Sequence, residues 1–377
     1  MSINPSERCS VPFVGKAAEF ANSSPNMKSI AVVLALVGAS LGAEPQSPEA
    51  SNDSAPPHGP YEISELVRDY RKSLVFVTGS NGAGSGFLAT IGKANVLVTN
   101  AHVAAEVKGA GFKTLDGEEV KLGIPAVAVG HDIFIMQAPP GGKPFQVMTG
   151  VDSNASIGDG VVVLGNAEGA GVINSIPGRI VGLGSNLVEV DAPFVPGNSG
   201  SPIIHLKTGK VIGVATYLTI KNFDPATKQA TRDPVVRRFG YRLDSVKNWQ
   251  PVDWTAFAAQ ATEMKRIEAL TTDFVRFFND LAKHHKVTPG IHTNPAIKSR
   301  IDWWESQKRG RLSAQDAAVA DQNFVGFLKG AAQADVTAAR QYITYDYFQR
   351  ALAEQQKARN EISDVFATII KQMGTER

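Results

Sequence analysis

Three short segments carry the residue types needed for nucleophilic chemistry. VLVTNAHV (96–103) is an apolar strand ending at His102, HDIFIM (131–136) places Asp132 at the start of a second, and VPGNSGSPII (195–204) sets Ser199 in a glycine-rich turn feeding a third. A serine hydroxyl is a weak nucleophile and needs a base within hydrogen-bond reach. It must also stand proud of the backbone, with peptide N–H groups turned towards a developing oxyanion, and flanking glycines tolerate the dihedrals such a turn demands. The pattern assigns His102 as the base for Ser199 and Asp132 as the group that fixes the His102 tautomer and stabilises its imidazolium. The N–H groups of Gly197 and Ser199 form the expected oxyanion hole, where one donor typically contributes about 3 kcal/mol of transition-state stabilisation. His131 is expected to be a solvated neighbour and His205 a structural residue.

These segments need a frame that holds them together. Between Ser73 and Asp244 short runs rich in Val and Ile, among them LVFVTG, GVVVLGNA and VIGVATY, alternate with turns containing Gly, Pro and Asp. Regular short strands of this kind predict an all-β sandwich or barrel. Tyr61 to Lys72 is a short helical approach. From Val246 the texture changes: Phe257, Met264, Ile267, Leu270, Phe274, Phe277 and Leu281 recur at helical spacing, one apolar face of a long helix. VTPGIHTNP (287–295) breaks it. Ser313 and Asp316 resemble a capping box for a second helix through Phe327. Asp335 can cap a third, running through Ile343, Tyr347, Ile362, Phe366 and Ile369.

The N-terminus is expected to be processed. MKSIAVVLALVGASLGA (27–43) has a positive start, an apolar stretch and a small residue at a plausible cleavage point, the pattern of a signal peptide. Residues 1–26 are expected to be a mis-called extension ahead of a start at Met27, and residues 44–60, rich in Pro, Ser and Ala, a flexible linker. The domain expectation is therefore a β domain over 61–245 and a helical accessory region over 246–377.

Composition narrows the classes. The 377 residues carry 38 Lys and Arg against 36 Asp and Glu, so charge gives no case for a nucleic-acid binder. The single cysteine, Cys9, excludes disulfide scaffolds and multi-cysteine zinc sites. His284 and His285 are adjacent, hence on different helix faces, and with His292 are expected at the surface; no metal is expected.

The three motifs, with GSGF (84–87) upstream of the histidine, resemble those of trypsin/chymotrypsin-fold serine proteases, closest to the bacterial HtrA-like branch. The order His, Asp, Ser is that family's order, and TNAHV is similar to its histidine segment. Asn198 stands where zymogen-activated enzymes carry Asp, which implies no activation by terminal insertion. The resemblance covers about residues 73–244 and implies two six-stranded antiparallel barrels, over 73–150 and 155–244, with the triad in the cleft between them. It implies endopeptidase hydrolysis through an acyl-enzyme on a protein or peptide substrate, with no cofactor. It implies pocket walls that include Pro193, Thr216, Tyr217 and Leu218, and a preference for small or aliphatic side chains at the cleaved bond. The helical tail departs from the family, which carries a strand-rich PDZ domain there. Whether the tail closes over the β domain, forms a homo-oligomer or meets a partner protein is left open. So is a latent or chaperone-like protein on the same fold, and an ester as substrate. The expected location is periplasmic or extracellular.

Overall fold

The computed structural model describes residues 60–79, 82–106, 111–140, 142–224, 229–284, 299, 302, 330 and 333–375. The expected signal segment, the linker, the second expected tail helix and the three tail histidines' side chains lie outside the described residues.

A short helix α1 (Ile63–Asp69) leads into strands β1 (Leu74–Gly79), β2 (Gly82–Ile91) and β3 (Ala94–Thr99), followed by helix α2 (Ala101–Glu106), which carries His102. Next come β4 (Gly111–Thr114), β5 (Pro125–Ala128), β6 (Phe134–Gln137) and β7 (Phe145–Gln146). One turn of helix, α3 (Val151–Asn154), opens the second half: β8 (Gly160–Gly165), β9 (Asn174–Leu183), β10 (Leu187–Val190), β11 (Pro202–His205), β12 (Lys210–Asp224) and β13 (Gln229–Tyr241). A last strand, β14 (Trp249–Pro251), precedes the long helices α4 (Trp254–His284) and α5 (Asp346–Thr375).

The second half is the closed six-stranded barrel that the strand pattern suggests, in the order β10-β13-β12-β11-β8-β9, with β9 pairing antiparallel to β10 to complete the ring. Its interior is filled by its own apolar residues, including Val161, Val163, Ile180, Val188 and Ile203.

The first half departs from expectation. It is an eight-stranded sheet, β14-β5-β6-β3-β2-β1-β4, with β7 paired in parallel to β2 and no closing pair between β4 and β14 among the described residues. The reason lies in its two faces. Side chains alternate across a strand, so Phe87, Val96 and Val98 face the barrel while Val75, Val77, Leu97, Phe134 and Met136 face away from it. A six-stranded barrel would bury that second face against itself. Here α4 and α5 cover it, through Phe257, Met264, Ile267, Phe348 and Leu352. Phe257, Met264 and Ile267 of the expected stripe on α4 are thus spent on the sheet, while the side chains of Phe274, Phe277 and Leu281 lie outside the described ones; a strand from beyond residue 245 joins the sheet's end.

The third expected helix is two. Residues 333–340 are helical, with Asp335 inside rather than capping, and the chain turns at 341–345 before α5 begins. Gln260 of α4 explains the break. Its Oε1 accepts the N–H groups of Thr344 (3.0 Å) and Tyr345 (3.2 Å), and its Nε2 donates to Thr344 Oγ1 (2.9 Å). Backbone groups that a continuous helix would have satisfied are met from outside, and the periodicity of apolar residues does not register such a partner.

Candidate active site

His102 lies in the first turn of α2 and is 6% exposed; Asp132 lies in the turn before β6 and is 5% exposed. The strand itself starts two residues later than expected, at Phe134, because Gly130 at φ +81° turns the chain sharply and Ala128 N–H closes the turn on the Ile133 carbonyl at 2.9 Å. Asp132 Oδ2 is 2.7 Å from His102 Nδ1, and Oδ1 accepts the His102 backbone N–H at 3.0 Å. Both carboxylate oxygens are thereby committed to one residue. Burial pulls the imidazole pKa down, while the charge and hydrogen bond of Asp132, with the charge of Glu106, outweigh it and raise His102 above its ordinary value.

Ser199 sits across the cleft, at the turn before β11. Its hydroxyl donates to the Thr216 carbonyl at 3.4 Å, and among the described residues His102 Nε2 has no hydrogen-bond partner. The structure therefore joins His102 to Asp132, and Ser199 and His102 share no hydrogen bond. Gly197 takes φ +93°, and a Cβ there would stand 2.5 Å from both Asn166 O and Glu168 N. Gly200 takes φ +90°, with space that would put a Cβ 2.0 Å from Ser85 O. Only glycine fits either place. Asn198 N–H donates to Val195 O (3.1 Å) and Asn198 Oδ1 accepts Val195 N–H (3.0 Å), so the loop closes on itself. The backbone N–H groups of Gly197 and Ser199 have no acceptor among the described residues, whereas their neighbours Asn198, Gly200 and Ser201 all donate.

Two residues inside the sequence motifs prove central, though their spacing assigned them no role. Ser85, 1% exposed, bridges the two halves. Its Oγ donates to Gly197 O (2.9 Å) and accepts Asn166 N–H (2.9 Å), its own N–H donates to Ser199 O (2.9 Å), and its carbonyl accepts Thr99 Oγ1 (2.7 Å). Asn100 Nδ2 donates to Asp132 O (2.7 Å) and to Thr216 Oγ1 (3.0 Å), linking the acid's turn to the strand that receives the serine hydroxyl. The signal for both was their type: a buried Ser and Asn beside a motif must find partners.

The expected pocket residues lie on two walls. Pro193 is exposed between buried Ala192 and Phe194, and Thr216 is buried. Tyr217 stacks on Phe239 with ring centroids 5.1 Å apart, and Leu218 pairs with Arg238 across β12 and β13. Arg238 Nε donates to the Phe194 carbonyl at 2.9 Å, bringing a positive charge to the wall that carries Pro193. His131 is not the solvated neighbour expected: it is 6% exposed, bonded through Nδ1 to Val129 O (3.0 Å) and through Nε2 to Ser245 Oγ (2.8 Å). His205 is structural, fully buried against Asp159 and Thr208. No cluster of metal-ligating side chains occurs among the described residues. No described helix is long and apolar enough to cross a membrane.

Residues 84–214 match the family described as the trypsin-like peptidase domain. The chain is 33% identical over 143 residues to a probable periplasmic serine endoprotease, DegP-like, of Bartonella henselae, covering 36% of this chain and 28% of that protein. It is 28% identical over 149 residues to the putative serine protease HhoA of a Synechocystis strain, covering 36% of this chain and 37% of that one. The match thus spans little more than a third of those relatives' lengths at most. Among solved structures, the HtrA-type protease AlgW with tripeptide aligns at TM-score 0.37 and 20% identity, covering 49% of this chain and 61% of that one. Over residues 84–214 the chain is thus similar to trypsin-like peptidase domains, and the curated relatives it resembles there are named as serine endoproteases.

Proposed function

We propose that this chain is a serine endopeptidase that hydrolyses peptide bonds through an acyl-enzyme, with Ser199 as nucleophile, His102 as base and Asp132 as the group that orients it. The observation that carries this reading is the pair of unpaired amides at Gly197 and Ser199, beside a serine whose cleft also holds the buried His102–Asp132 couple. Gly197 is buried and Ser199 half-buried, and unpaired N–H groups are rare where the chain is withdrawn from water. Two in one turn supply the donors an oxyanion needs.

In the proposed reaction His102 Nε2 takes the Ser199 proton as Oγ attacks the carbonyl carbon. The oxyanion is met by the two amides. His102 then gives its proton to the leaving amine, and water repeats the sequence to release the acid. The positive charge of Arg238 near Pro193 disfavours basic side chains at the cleaved bond, in keeping with a small or aliphatic preference. The substrate is a protein or peptide, the site needs no cofactor, and the mature chain works outside the cytoplasm.

A latent or binding-only protein on the same fold is the second reading, and the Ser199 hydroxyl turned to Thr216 O favours it. Fluorophosphonate labelling separates the two, because it requires a working nucleophile and oxyanion hole. Labelling that vanishes in Ser199→Ala supports the protease. A folded wild-type chain that stays unlabelled sinks it.

A further inference from the structure

The turn that carries Asp132 is gripped from outside the β domain. Gly130 N–H donates to Asp346 Oδ2 at 2.8 Å, and Arg350 Nη2 donates to the His131 carbonyl at 3.0 Å. That carbonyl belongs to the peptide group immediately before Asp132. Arg350 Nε also donates to Asp346 Oδ2 at 2.9 Å, so the two side chains act as one clamp spanning a single helical turn. The clamp is itself anchored. Asp346 N–H donates to Gln250 Oε1 of β14 at 3.1 Å, and the residues just before it are held by Gln260 of α4. Charged groups bonded to backbone give the stronger class of hydrogen bond, and these partners are only 38% and 28% exposed at the side chain.

From this arrangement we infer that Arg350 and Asp346 at the start of α5 are positioning residues, which hold the 130–132 turn so that Asp132 keeps both oxygens on His102. The inference rests on the catalytic reading of His102 and Asp132. It gives the helical tail a task in the site: α5 reaches the acid's turn through the backbone of Gly130 and His131. Neither residue touches substrate or the reacting atoms.

The His102 titration tests this with a readout that fold stability alone does not move. The titratable groups coupled to His102 or Asp132 are Glu106 on α2, Tyr241 on β13 and Tyr347 on α5; Glu268 on α4 faces Glu106 and Tyr347, and Arg350 faces Tyr241 and Tyr347. If Arg350 acted only through its charge, removing it would leave the imidazolium less repelled and raise the His102 midpoint. If it positions Asp132, removing it loosens the bond that raises His102, and burial then pulls the midpoint down.

The experiment compares the full chain with Arg350→Met, Arg350→Lys and, as a surface ion-pair control, Arg71→Met. Two quantities are read: the NMR titration of the His102 ring and the fluorophosphonate labelling rate at saturating probe. The expected result for Arg350→Met is a lower His102 midpoint and labelling slowed by roughly tenfold or more, the scale of a small misplacement of catalytic groups. Arg350→Lys is expected between wild type and the methionine variant, since an ammonium can serve His131 O or Asp346 but not both in the same geometry. It carries the test by itself should the methionine variant not fold. Arg71→Met is expected to match wild type. A folded Arg350 variant whose His102 midpoint is unchanged or raised overturns the inference. A wild type that is never labelled, yet whose His102 midpoint falls on replacing Arg350, overturns the protease reading and leaves the clamp standing.

Discussion

The two halves of the β domain bury their apolar faces in different ways. The barrel that carries Ser199 closes its hydrogen-bond ring and fills its interior from its own strands. The sheet that carries His102 and Asp132 has two apolar faces and covers only one of them with the barrel. The other is covered by α4 and α5, where Phe257 packs against Phe134, Trp254, Tyr345 and Phe348 with ring centroids 4.8–6.1 Å apart. The helical region is therefore not an appendage to this half. It completes the core beneath the His–Asp couple, while the half that carries Ser199 is complete without it.

The largest expected effect tests that asymmetry. Phe257→Ala removes a fully buried ring shared by sheet and helices, and should cost about 3–5 kcal/mol in chemical denaturation. Ile203→Val, in the barrel interior, should cost only about 0.5–1.5 kcal/mol. Native-state hydrogen exchange then shows where each variant opens. Phe257→Ala should expose β3, β6 and α2 amides first. Equal loss of protection in β8 and β11 would dissolve the distinction between the halves.

Next in size is the bridge between them. Ser85→Ala leaves the buried Gly197 carbonyl and Asn166 N–H without their shared partner, a loss of about 1–3 kcal/mol. Labelling of Ser199 should slow beyond what an Ile203→Val chain of comparable stability shows, because Gly197 carries one of the two free amides. Equal labelling in the two variants would make Ser85 a stabilising residue only.

The smallest effect concerns pH and belongs to the sheet half alone. His102 is raised in the folded chain, so its contribution to stability is complete below the ordinary imidazole value and is lost as pH rises through the folded value. Labelling needs neutral His102 and therefore climbs over that same upper range. In Asp132→Asn burial is left to dominate, and the His102 midpoint should drop below that of an exposed imidazole. A midpoint that stays raised in this variant would assign the shift to Glu106 instead.

Much of the site is legible in the chain's local patterns. His102 follows the end of one apolar strand and Asp132 stands in the turn two residues before another, and the glycines around Ser199 are demanded by positive φ. What the motifs hide are the partners. Ser85 meets Gly197 across 112 positions, and Asn100 meets Thr216 across 116, so no local pattern could pair them. The same blindness affects the tail. The apolar stripe of α4 is plain, but a stripe states that a face will be buried, not against what. The break at 341–345 is invisible because its cause, Gln260, stands 84 residues upstream of Thr344.

By itself the sequence determined the quantities that depend on near neighbours. These are the strand and helix periods, the glycines that only one backbone conformation requires, and the residue types available for acyl transfer. The tertiary structure decided whatever depends on closing long loops of chain: which half of the β domain closes on itself, which face α4 and α5 cover, and how Arg350 comes to hold the carbonyl of His131, 219 residues away. The physical reason is that alternation and helical spacing encode which side of an element is apolar. The hydrogen bonds that fix a site's geometry form only after distant elements have packed, and their donors and acceptors leave no periodic trace in the chain.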